Sequence, residues 1–430
     1  MTNTNVQLKR GAGTIRRVGL RAIGLSTLIL LGAVIAQADT VLEWNVIALN
    51  TTAAAPFNPP LESRNLAIVH AAMFDAVNSI VGEFHPYAVE FSSSSGASPD
   101  AAAAAASHFV LAQLYPAQQT MLDAAYATSL SGVPNGSAKA AGIAVGEAVA
   151  AQILAMRASD GAQAAIVAPY TPGSQPGDWI PTPPKSRPAL DPGWGTVQPF
   201  FLRQGSQFRP EPPPSLTSPQ YTSDFNEIKV IGSATSTTRT QEQTDLASFW
   251  VSTAPQIWNP AARQVAIAQG LTLSQNARAF ALLNLAGADA FIASWDAKFT
   301  YNQWRPVTAI READSDGNPD TIADPNWTPL LVTPPFPDYI AGHTTYAGAA
   351  EKVLEHVFGE NPGIVITLAS AAAPGVFESY STFDEIAGGV VDARVLGGIH
   401  WRTSCVVGRR VGQKVGAFAV HHFLKPKGED

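Results

Sequence analysis

Apolar residues recur at helical spacing along most of this chain. Residues 65–80, NLAIVHAAMFDAVNSI, place apolar side chains on one face of a helix, and period-two alternation is scarce throughout. The same helical period predicts further helices over residues 99–129, 137–158, 240–252, 259–269, 273–299, 342–358, 364–372, 383–398 and 400–423. The pattern therefore predicts an all-α fold built from two packed helical bundles.

Residues 169–220 interrupt this pattern. Proline, glycine and serine dominate there, which predicts a long irregular excursion. Aromatic residues recur within it, so we expect it to pack on the surface of the helices rather than to link independent domains. These aromatic residues are Trp179, Trp194, Phe200, Phe201 and Phe208.

The N-terminal segment has the features of a signal peptide. Basic residues precede an apolar run over residues 22–35, and Ala36-Gln37-Ala38 fits a small-residue cleavage site. A membrane anchor is the weaker alternative, because the run is short for a spanning helix. We therefore predict a cleaved leader, residues 1–38, and a secreted or periplasmic protein.

Residues 39–430 are predicted to form a single helical domain, in which about 240–425 carry the polar site described below. Hydrophobic residues make up 46% of the chain and charged residues 14%, as expected of a compact, mostly buried protein. No other stretch reads as long and apolar enough to span a bilayer, so no stable membrane insertion is expected after cleavage. Self-association into a homo-oligomer stays open.

Composition excludes several kinds of chemistry. The net charge of −7 argues against a nucleic-acid partner. The single cysteine, Cys405, rules out an intramolecular disulfide and any multi-cysteine metal site, and a buried apolar role is favoured over a reactive thiol. His70 and Asp75 are five residues apart, off a shared helix face, so core or capping roles are favoured over a metal pair.

Three polar segments stand out from their apolar surroundings. They span residues 298–306, 334–343 and 394–401. The first and third supply three cationic donors, and the planar fork of arginine can bind two oxygens of a tetrahedral oxyanion at once. These donors are Lys298, Arg305 and Arg394.

Gly342 and two histidines complete the set. Gly342 lets the backbone approach a ligand, and a helix starting at His343 directs free N–H groups and its positive dipole end at the same point. His343 and His400 add capacity for proton transfer and ligation. Taken singly, each residue is more often a surface charge or a structural histidine. Asp338, which precedes Gly342-His343, could have no role beyond capping the helix. Together they predict an anion site.

The order and spacing of these segments resemble the signature of the vanadium haloperoxidase and type 2 phosphatidic acid phosphatase superfamily. That signature has a lysine, six residues and Arg-Pro, then Ser-Gly-His, then Ser-Arg, three residues, glycine, one residue and histidine. The chain has Lys298 with Arg305-Pro306, then Ala341-Gly342-His343, then Ala393-Arg394 with Gly398 and His400. Weaker resemblance to the secreted bacterial branch extends into HAAMFDAVNSI and the Pro-rich excursion.

The resemblance implies a role for each residue of the signature. His343 is the implied general acid/base, and His400 is the implied axial ligand of vanadium or, in a phosphatase, the nucleophile that accepts the phosphoryl group. The bound vanadate would act as a Lewis acid, without a change of oxidation state, in the oxidation of halide by hydrogen peroxide. The residues implied to hold the oxyanion are Lys298, Arg305, Gly342 through its N–H, and Arg394.

Three positions depart from the family pattern. Ala341 and Ala393 stand where the family has serine, and the first change removes a hydroxyl that would bond an oxyanion oxygen. Ser404 stands four residues after His400, where the family often has an aspartate that orients that histidine. A neutral serine would stabilise a histidine cation less, which disfavours phosphohistidine chemistry.

The leading hypothesis is a vanadium-dependent haloperoxidase-like enzyme whose cofactor is vanadate and whose substrates are hydrogen peroxide and a halide. One alternative is an exported acid phosphatase without a cofactor, which would attack a phosphoester in the same pocket through a phosphohistidine. Another is a catalytically weakened oxyanion-binding protein, motivated by Ala341 and Ser404. Because His400 must be neutral to ligate vanadium, low pH is expected to weaken cofactor binding.

Overall fold

The computed structural model describes residues 39–91 and 96–428. Within them the chain is mostly helical, which confirms the all-α prediction. The first seven helices are α1 Thr40–Ala53, α2 Pro59–Val81, α3 Pro99–Leu114, α4 Gln119–Ser131, α5 Ser137–Arg157, α6 Ala162–Ile166 and α7 Pro219–Ile231. The other seven are α8 Gln241–Phe249, α9 Ala254–Gln269, α10 Leu273–Tyr301, α11 Pro306–Arg311, α12 Gly342–Phe358, α13 Phe383–Leu396 and α14 Arg402–His422.

The longest of these helices, α10, begins and ends on local sequence signals. Thr272 and Gln275 form a reciprocal capping box at its start. Its last turn carries Lys298, and Asn302 ends it in the left-handed conformation, with a φ of 51°. Nearly every residue between these ends is buried, because α10 packs against α2 and also against α12 and α14. The helix therefore carries Lys298 into the interior of the protein.

Glycines let α12 and α14 pack unusually close together. A Cβ atom added at Gly348 would lie 2.1 Å from the carbonyl oxygen of Arg409. On α14, a Cβ atom added at Gly412 would lie 1.9 Å from the carbonyl oxygen of Thr345. Both separations are far below van der Waals contact, so these helices touch backbone to backbone. This contact joins the start of α12, which bears His343, to the helix that follows His400.

A second aromatic core, separate from the main one, supports the segments beside the polar site. It contains Trp304, Trp327 and Trp401, together with Phe225 and Cys405. Trp401 donates its indole N–H to the carbonyl oxygen of Trp304 at 3.2 Å. These two tryptophans precede Arg305 and follow His400 in the chain, so their packing holds both neighbours in place. The prediction of a buried, apolar role for Cys405 is confirmed.

The predicted helix over residues 364–372 is wrong. Ile366–Ala369 and Phe377–Tyr380 form a two-stranded antiparallel sheet, β1 and β2. The run Ile364-Val365-Ile366-Thr367 is β-branched, and Pro374-Gly375 supplies a turn with a φ of 88° at the glycine. Because β-branched side chains are restricted in helices and a Pro-Gly pair favours a turn, the local preference is for a hairpin.

Other helix boundaries differ from the prediction. The predicted helix over residues 99–129 is two helices, α3 and α4, because Pro116 starts a short 3-10 turn between them. Helices α1, α6, α7 and α11 were not predicted, and α7 begins inside the Pro-rich excursion. Two more 3-10 turns lie within it, at Trp194–Thr196 and Gly205–Phe208, and most of its other residues are irregular. Its tryptophans are buried, as expected of a segment that packs on the helices.

Helix α5 meets the length and composition of a membrane-spanning helix, and among the described residues it alone does so. This corrects the expectation that no stretch beyond the leader would qualify. One such helix is weak evidence for a membrane, and α5 packs along α3, where a Cβ atom added at Gly146 would lie 2.4 Å from the carbonyl oxygen of Ala102. The predicted signal peptide, residues 1–38, lies outside the described residues.

His70 and Asp75 have structural roles, as expected. His70 is buried, and its Nε2 accepts a hydrogen bond from the Asn45 amide at 3.0 Å. Burial lowers the pKa of His70 to about 3, so its ring stays neutral. The Asp75 carboxylate accepts backbone N–H bonds from residues 87–89 and so ties that loop to α2.

We expect Gly412→Ala to destabilise the protein, by about 1–3 kcal/mol, because its Cβ atom would overlap the Thr345 carbonyl oxygen. The matched control is Gly388→Ala on α13, where no atom lies within 4 Å of an added Cβ atom. That change is expected to stabilise by roughly 0.5–1 kcal/mol through helix propensity. Urea denaturation measures both free energies of unfolding, and equal effects would contradict the close packing.

Candidate active site

Lys298 reaches the site from the last turn of α10. It is fully buried, and its Nζ donates to the carbonyl oxygens of Pro337 and Asp338 at 2.9 and 2.8 Å. The ammonium also lies 4.9 Å from the ring centroid of Phe336, within the range of a cation–π interaction. Burial, followed by the positive charge of Arg305, lowers the pKa of Lys298 well below its usual range.

Arg305 stands immediately before α11 and is also fully buried. Its Nε donates to the Phe336 carbonyl oxygen at 2.7 Å, and its Nη1 donates to the Ile399 carbonyl oxygen at 2.6 Å. The guanidinium thus joins residues 334–343 to residues 394–401. Its Nη2 is buried and has no hydrogen-bond partner among the described residues. Burial lowers the pKa of Arg305 to about 10.

Arg394 and His343 both contact the segment between α8 and α9. Arg394 Nη1 donates to the Trp250 carbonyl oxygen at 2.7 Å, and His343 Nε2 lies 3.1 Å from the Ser252 carbonyl oxygen. A carbonyl oxygen can only accept, so His343 carries its proton on Nε2 and leaves Nδ1 as the proton-accepting atom. Arg394 Nε is buried and makes no hydrogen bond within the described part of the chain.

Gly342 opens helix α12 at the centre of the site. Ala341 is its N-cap residue, and no side chain of the described residues caps the helix. The first N–H groups of a helix have no hydrogen-bond partner within it, and they lie at the positive end of the helix dipole. A Cβ atom added at Gly342 would lie 3.1 Å from the Trp295 ring and 3.2 Å from the Phe291 ring. A larger residue would crowd these rings, whereas glycine leaves its backbone N–H available to donate to a ligand.

His400 lies in the turn between α13 and α14, is 2% exposed, and contacts two charged groups. Its Nε2 is 3.1 Å from Arg305 Nη1, and its Nδ1 is 3.3 Å from the Asp338 carboxylate. The same carboxylate oxygen of Asp338 also lies 3.7 Å from Arg305 Nη1. Burial raises the pKa of Asp338 to about 6, against the lowering effect of Arg305 and Lys298.

Positive charge dominates this interior. Burial, and then the cations Arg305, Lys298 and Arg394, lower the pKa of His400 well below its usual range. Burial and Arg394 lower the pKa of His343 to about 3, although part of its surface is accessible. Both rings are therefore neutral at neutral pH. Three buried cations face one buried carboxylate, so an anion would relieve their repulsion and their desolvation.

The residues fit a tetrahedral oxyanion such as vanadate or phosphate. Two buried guanidinium N–H groups, Nη2 of Arg305 and Nε of Arg394, are left without partners in the described residues. A buried donor without a partner is costly, and an anionic acceptor at this point would satisfy both. The uncapped start of α12 adds backbone donors. Lys298, Arg305, Gly342 and Arg394 could hold such a group, and His400 Nε2 could ligate its central atom.

The structure brings all six predicted site residues into one region. Sequence reasoning missed three contributors, namely the carbonyl groups of Trp250 and Ser252, which hold Arg394 and His343, and the carboxylate of Asp338. The reading of Asp338 as a cap is wrong, because Ala341 is the N-cap residue of α12. Asp338 was visible as the one acidic residue of the segment PPFPDYIAGH, but its contact partner is distant in sequence.

Comparison with known proteins agrees with this geometry. A family model described as the VCPO second helical-bundle domain matches residues 278–427. Vanadium chloroperoxidase from Curvularia inaequalis is 28% identical, over 75% of this chain and 66% of that protein. The residues that the family model matches include every residue predicted for the site.

Solved structures extend the likeness to nearly the whole chain. A bacterial vanadium-dependent iodoperoxidase has a TM-score of 0.76 and 25% identity, covering 90% of this chain and 96% of the other. An apo-type bacterial vanadium-dependent chloroperoxidase has a TM-score of 0.69 at 17% identity, with 85% and 95% covered, and shares the fold. The chain is therefore similar in sequence and in fold to vanadium haloperoxidases. It spans 66% of the length of its curated relative.

We expect Ala341→Ser to tighten vanadate binding, because the added hydroxyl would donate to an oxyanion oxygen at the start of α12. A hydrogen bond to a charged group is worth about 1.5–3 kcal/mol, or roughly ten- to a hundredfold in affinity. Ala341→Cys is the matched control, since it adds an atom at the same place without a strong donor. Isothermal titration of the apo-protein measures both, and unchanged affinity in the serine variant would contradict the placement.

Vanadate affinity should resist mild acid. Ligation needs neutral His400, and the depressed pKa of His400 keeps it neutral below the ordinary imidazole pKa of about 6.5. We expect affinity to fall only below the pH range in which an ordinary imidazole titrates. An ordinary histidine would lose about tenfold per pH unit below pH 6.5. Such an early loss, seen by titration at each pH, would contradict the depressed pKa.

Proposed function

We propose that the protein is a vanadium-dependent haloperoxidase that oxidises a halide with hydrogen peroxide. The observation that carries this proposal is a pair of guanidinium nitrogens, on Arg305 and Arg394, that have no hydrogen-bond partner among the described residues and lie near a neutral His400. The curated relative is a vanadium chloroperoxidase and a structural neighbour is an iodoperoxidase. Because the names of these two proteins give different halides, chloride, bromide and iodide are all tested below.

Vanadate supplies a Lewis acid that activates peroxide toward attack by halide. Lys298, Arg305 and Arg394 would hold the oxygens of such a group in fixed positions and withdraw charge from them. Their hydrogen bonds to backbone carbonyl groups set each cation before any ligand arrives, so little reorganisation is required. The buried aromatic rings of Trp295 and Phe336 keep water away from this shell.

His343 handles protons in this proposal. Its Nε2 proton is held by the Ser252 carbonyl oxygen, so Nδ1 is free to take a proton from peroxide and to return it later. Its pKa of about 3 in the ligand-free protein would make it a weak base. An anion bound among the three cations would raise that pKa, because the opposite charge favours the protonated ring. Cofactor binding would therefore bring the pKa of His343 nearer to the pH at which the enzyme works.

Acid phosphatase activity is the alternative, and one observation favours it. The Asp338 carboxylate lies 3.3 Å from His400 Nδ1, where it can stabilise a positively charged, phosphorylated ring. Taken alone, the neutral side chain of Ser404 disfavours a phosphohistidine. In such an enzyme the same cations would hold a phosphoester, and His400 Nε2 would attack phosphorus. A weakened oxyanion-binding protein, the third reading, would bind vanadate with neither activity. Export with cleavage after Ala38 remains a further prediction.

The deciding experiment adds vanadate to the apo-protein and measures oxidation of chloride, bromide and iodide with peroxide. We expect vanadate-dependent turnover with at least one halide and its loss in His400→Ala. Hydrolysis of a generic phosphomonoester, inhibited by vanadate, is measured on the same preparations. Turnover by His400→Ala equal to the wild type would sink the peroxidase proposal, and hydrolysis without halide oxidation would favour the phosphatase.

A further inference from the structure

His400 needs a partner that sets the orientation and tautomer of its ring. Either imidazole nitrogen can carry the proton, and only an unprotonated Nε2 can ligate vanadium or attack phosphorus while Nδ1 carries it. The backbone around His400 is already held, because the Ile399 carbonyl oxygen accepts from Arg305 and the Trp401 indole is anchored to Trp304. Rotation of the ring remains to be restrained.

We propose that Asp338 is a positioning residue, whose carboxylate accepts the Nδ1 proton of His400 and directs Nε2 toward the oxyanion. The relevant oxygen, Oδ2, lies 3.3 Å from Nδ1, and both side chains are almost fully buried. The inference rests on the proposed function, in that it gives His400 Nε2 its ligand or nucleophile role. The aspartate acts through His400 and does not itself contact the substrate.

Arg305 lies over the ring of His400 and leaves both ring nitrogens to other partners. Its Nη1 is 3.1 Å from Nε2 and 3.4 Å from Nδ1. A donor at nearly equal distances from both nitrogens lies above the plane of the ring, whereas the lone pair and the N–H of an imidazole lie in that plane. The Asp338 carboxylate therefore decides which nitrogen carries the proton.

The backbone of Asp338 is fixed from three directions. Its N–H donates to the Gln303 carbonyl oxygen at 2.8 Å. Its carbonyl oxygen accepts from Lys298 Nζ at 2.8 Å and from the Ser404 hydroxyl at 3.2 Å. The carboxylate therefore projects from a backbone that the oxyanion site itself holds rigid. A supporting partner of this kind is worth about 10- to 100-fold in the affinity of a ligating histidine.

The role of Ser404 follows from this arrangement. Position 404 is where the family pattern often has the aspartate that orients the histidine, and its absence pointed to an unsupported His400. Here the Ser404 hydroxyl bonds the backbone of Asp338 instead, and the carboxylate arrives from the segment before α12. The orienting group is thus retained, but it comes from a different part of the chain.

The test reads the tautomer of His400 by nitrogen-15 NMR of the full-length, ligand-free protein. We expect the Nδ1–H form in the wild type and loss of that preference in Asp338→Ala. We also expect vanadate affinity, from isothermal titration, to fall about tenfold or more in that variant. Asp338→Ala combined with Ser404→Asp places a carboxylate at the other position, and we expect it to recover part of both properties.

Asp224→Ala is the matched control. Asp224 is a buried carboxylate that accepts the Thr403 N–H at the start of α14, so its removal perturbs the neighbourhood of His400 but leaves the proposed partner in place. We expect the tautomer and the vanadate affinity to be those of the wild type. Losses in this control equal to those in Asp338→Ala would mean that the effect is general destabilisation, which overturns the proposal.

Two further results would overturn the role of Asp338. One is an Nε2–H tautomer in the wild type, a measurement that holds even if Asp338→Ala does not fold. The other is an Asp338→Ala protein with the wild-type tautomer and affinity. Because the tautomer is read without vanadate, absent halide oxidation would contradict the proposed function alone. Normal oxidation with an Nε2–H ring would contradict the positioning role alone.

Discussion

Burial of three cations around one carboxylate is the constraint on which this structure depends. Lys298, Arg305 and Arg394 are at most 3% exposed, and removing such groups from water is costly unless they find compensating partners. Backbone carbonyl groups supply part of that compensation, and Asp338 supplies one negative charge. The remaining guanidinium N–H groups are unsatisfied within the described residues. An anion bound among them would relieve that cost.

Maintaining such a site requires a rigid frame, which three long helices provide. Helix α10 carries Lys298 and packs against α2, α12 and α14. Helices α12 and α14 approach backbone to backbone through glycines, so the two histidines cannot drift apart without separating the helices. The aromatic pair Trp304 and Trp401 fastens the segments that bear Arg305 and His400. The cations are thus held by the packing of these helices and by their own hydrogen bonds to backbone carbonyl groups.

Sequence alone predicted the helical architecture, because helical period is a local property of the chain. The order of the motifs also singled out six residues that lie in one region of the structure, and their role as an oxyanion site stays a prediction. It failed where a distant partner decides the outcome. The segment 364–372 is apolar enough for a helix, but its β-branched residues pair with 377–380 as a hairpin. Asp338 could be read only as a cap, since its contact with His400 joins residues 62 positions apart.

The segment between α8 and α9 shows a second reason why sequence reasoning missed part of the candidate site. The carbonyl groups of Trp250 and Ser252 hold Arg394 and His343, and a backbone carbonyl has no residue-specific signature. The substitutions in the family pattern gave a misleading picture for the same reason: Ser404 suggested a weakened histidine, although the Asp338 carboxylate, from another segment, lies beside the ring. Motif comparison records which residue stands at a position, whereas the chemistry depends on which atom reaches the ring.

A crystal structure of the protein with vanadate tests the central claim most directly. The account predicts one vanadate per chain, with its metal bonded to His400 Nε2 and its oxygens accepting from Arg305 Nη2, Arg394 Nε and the N–H of Gly342. Vanadate bound elsewhere, or bound here while those two guanidinium N–H groups still lack a partner, would contradict it.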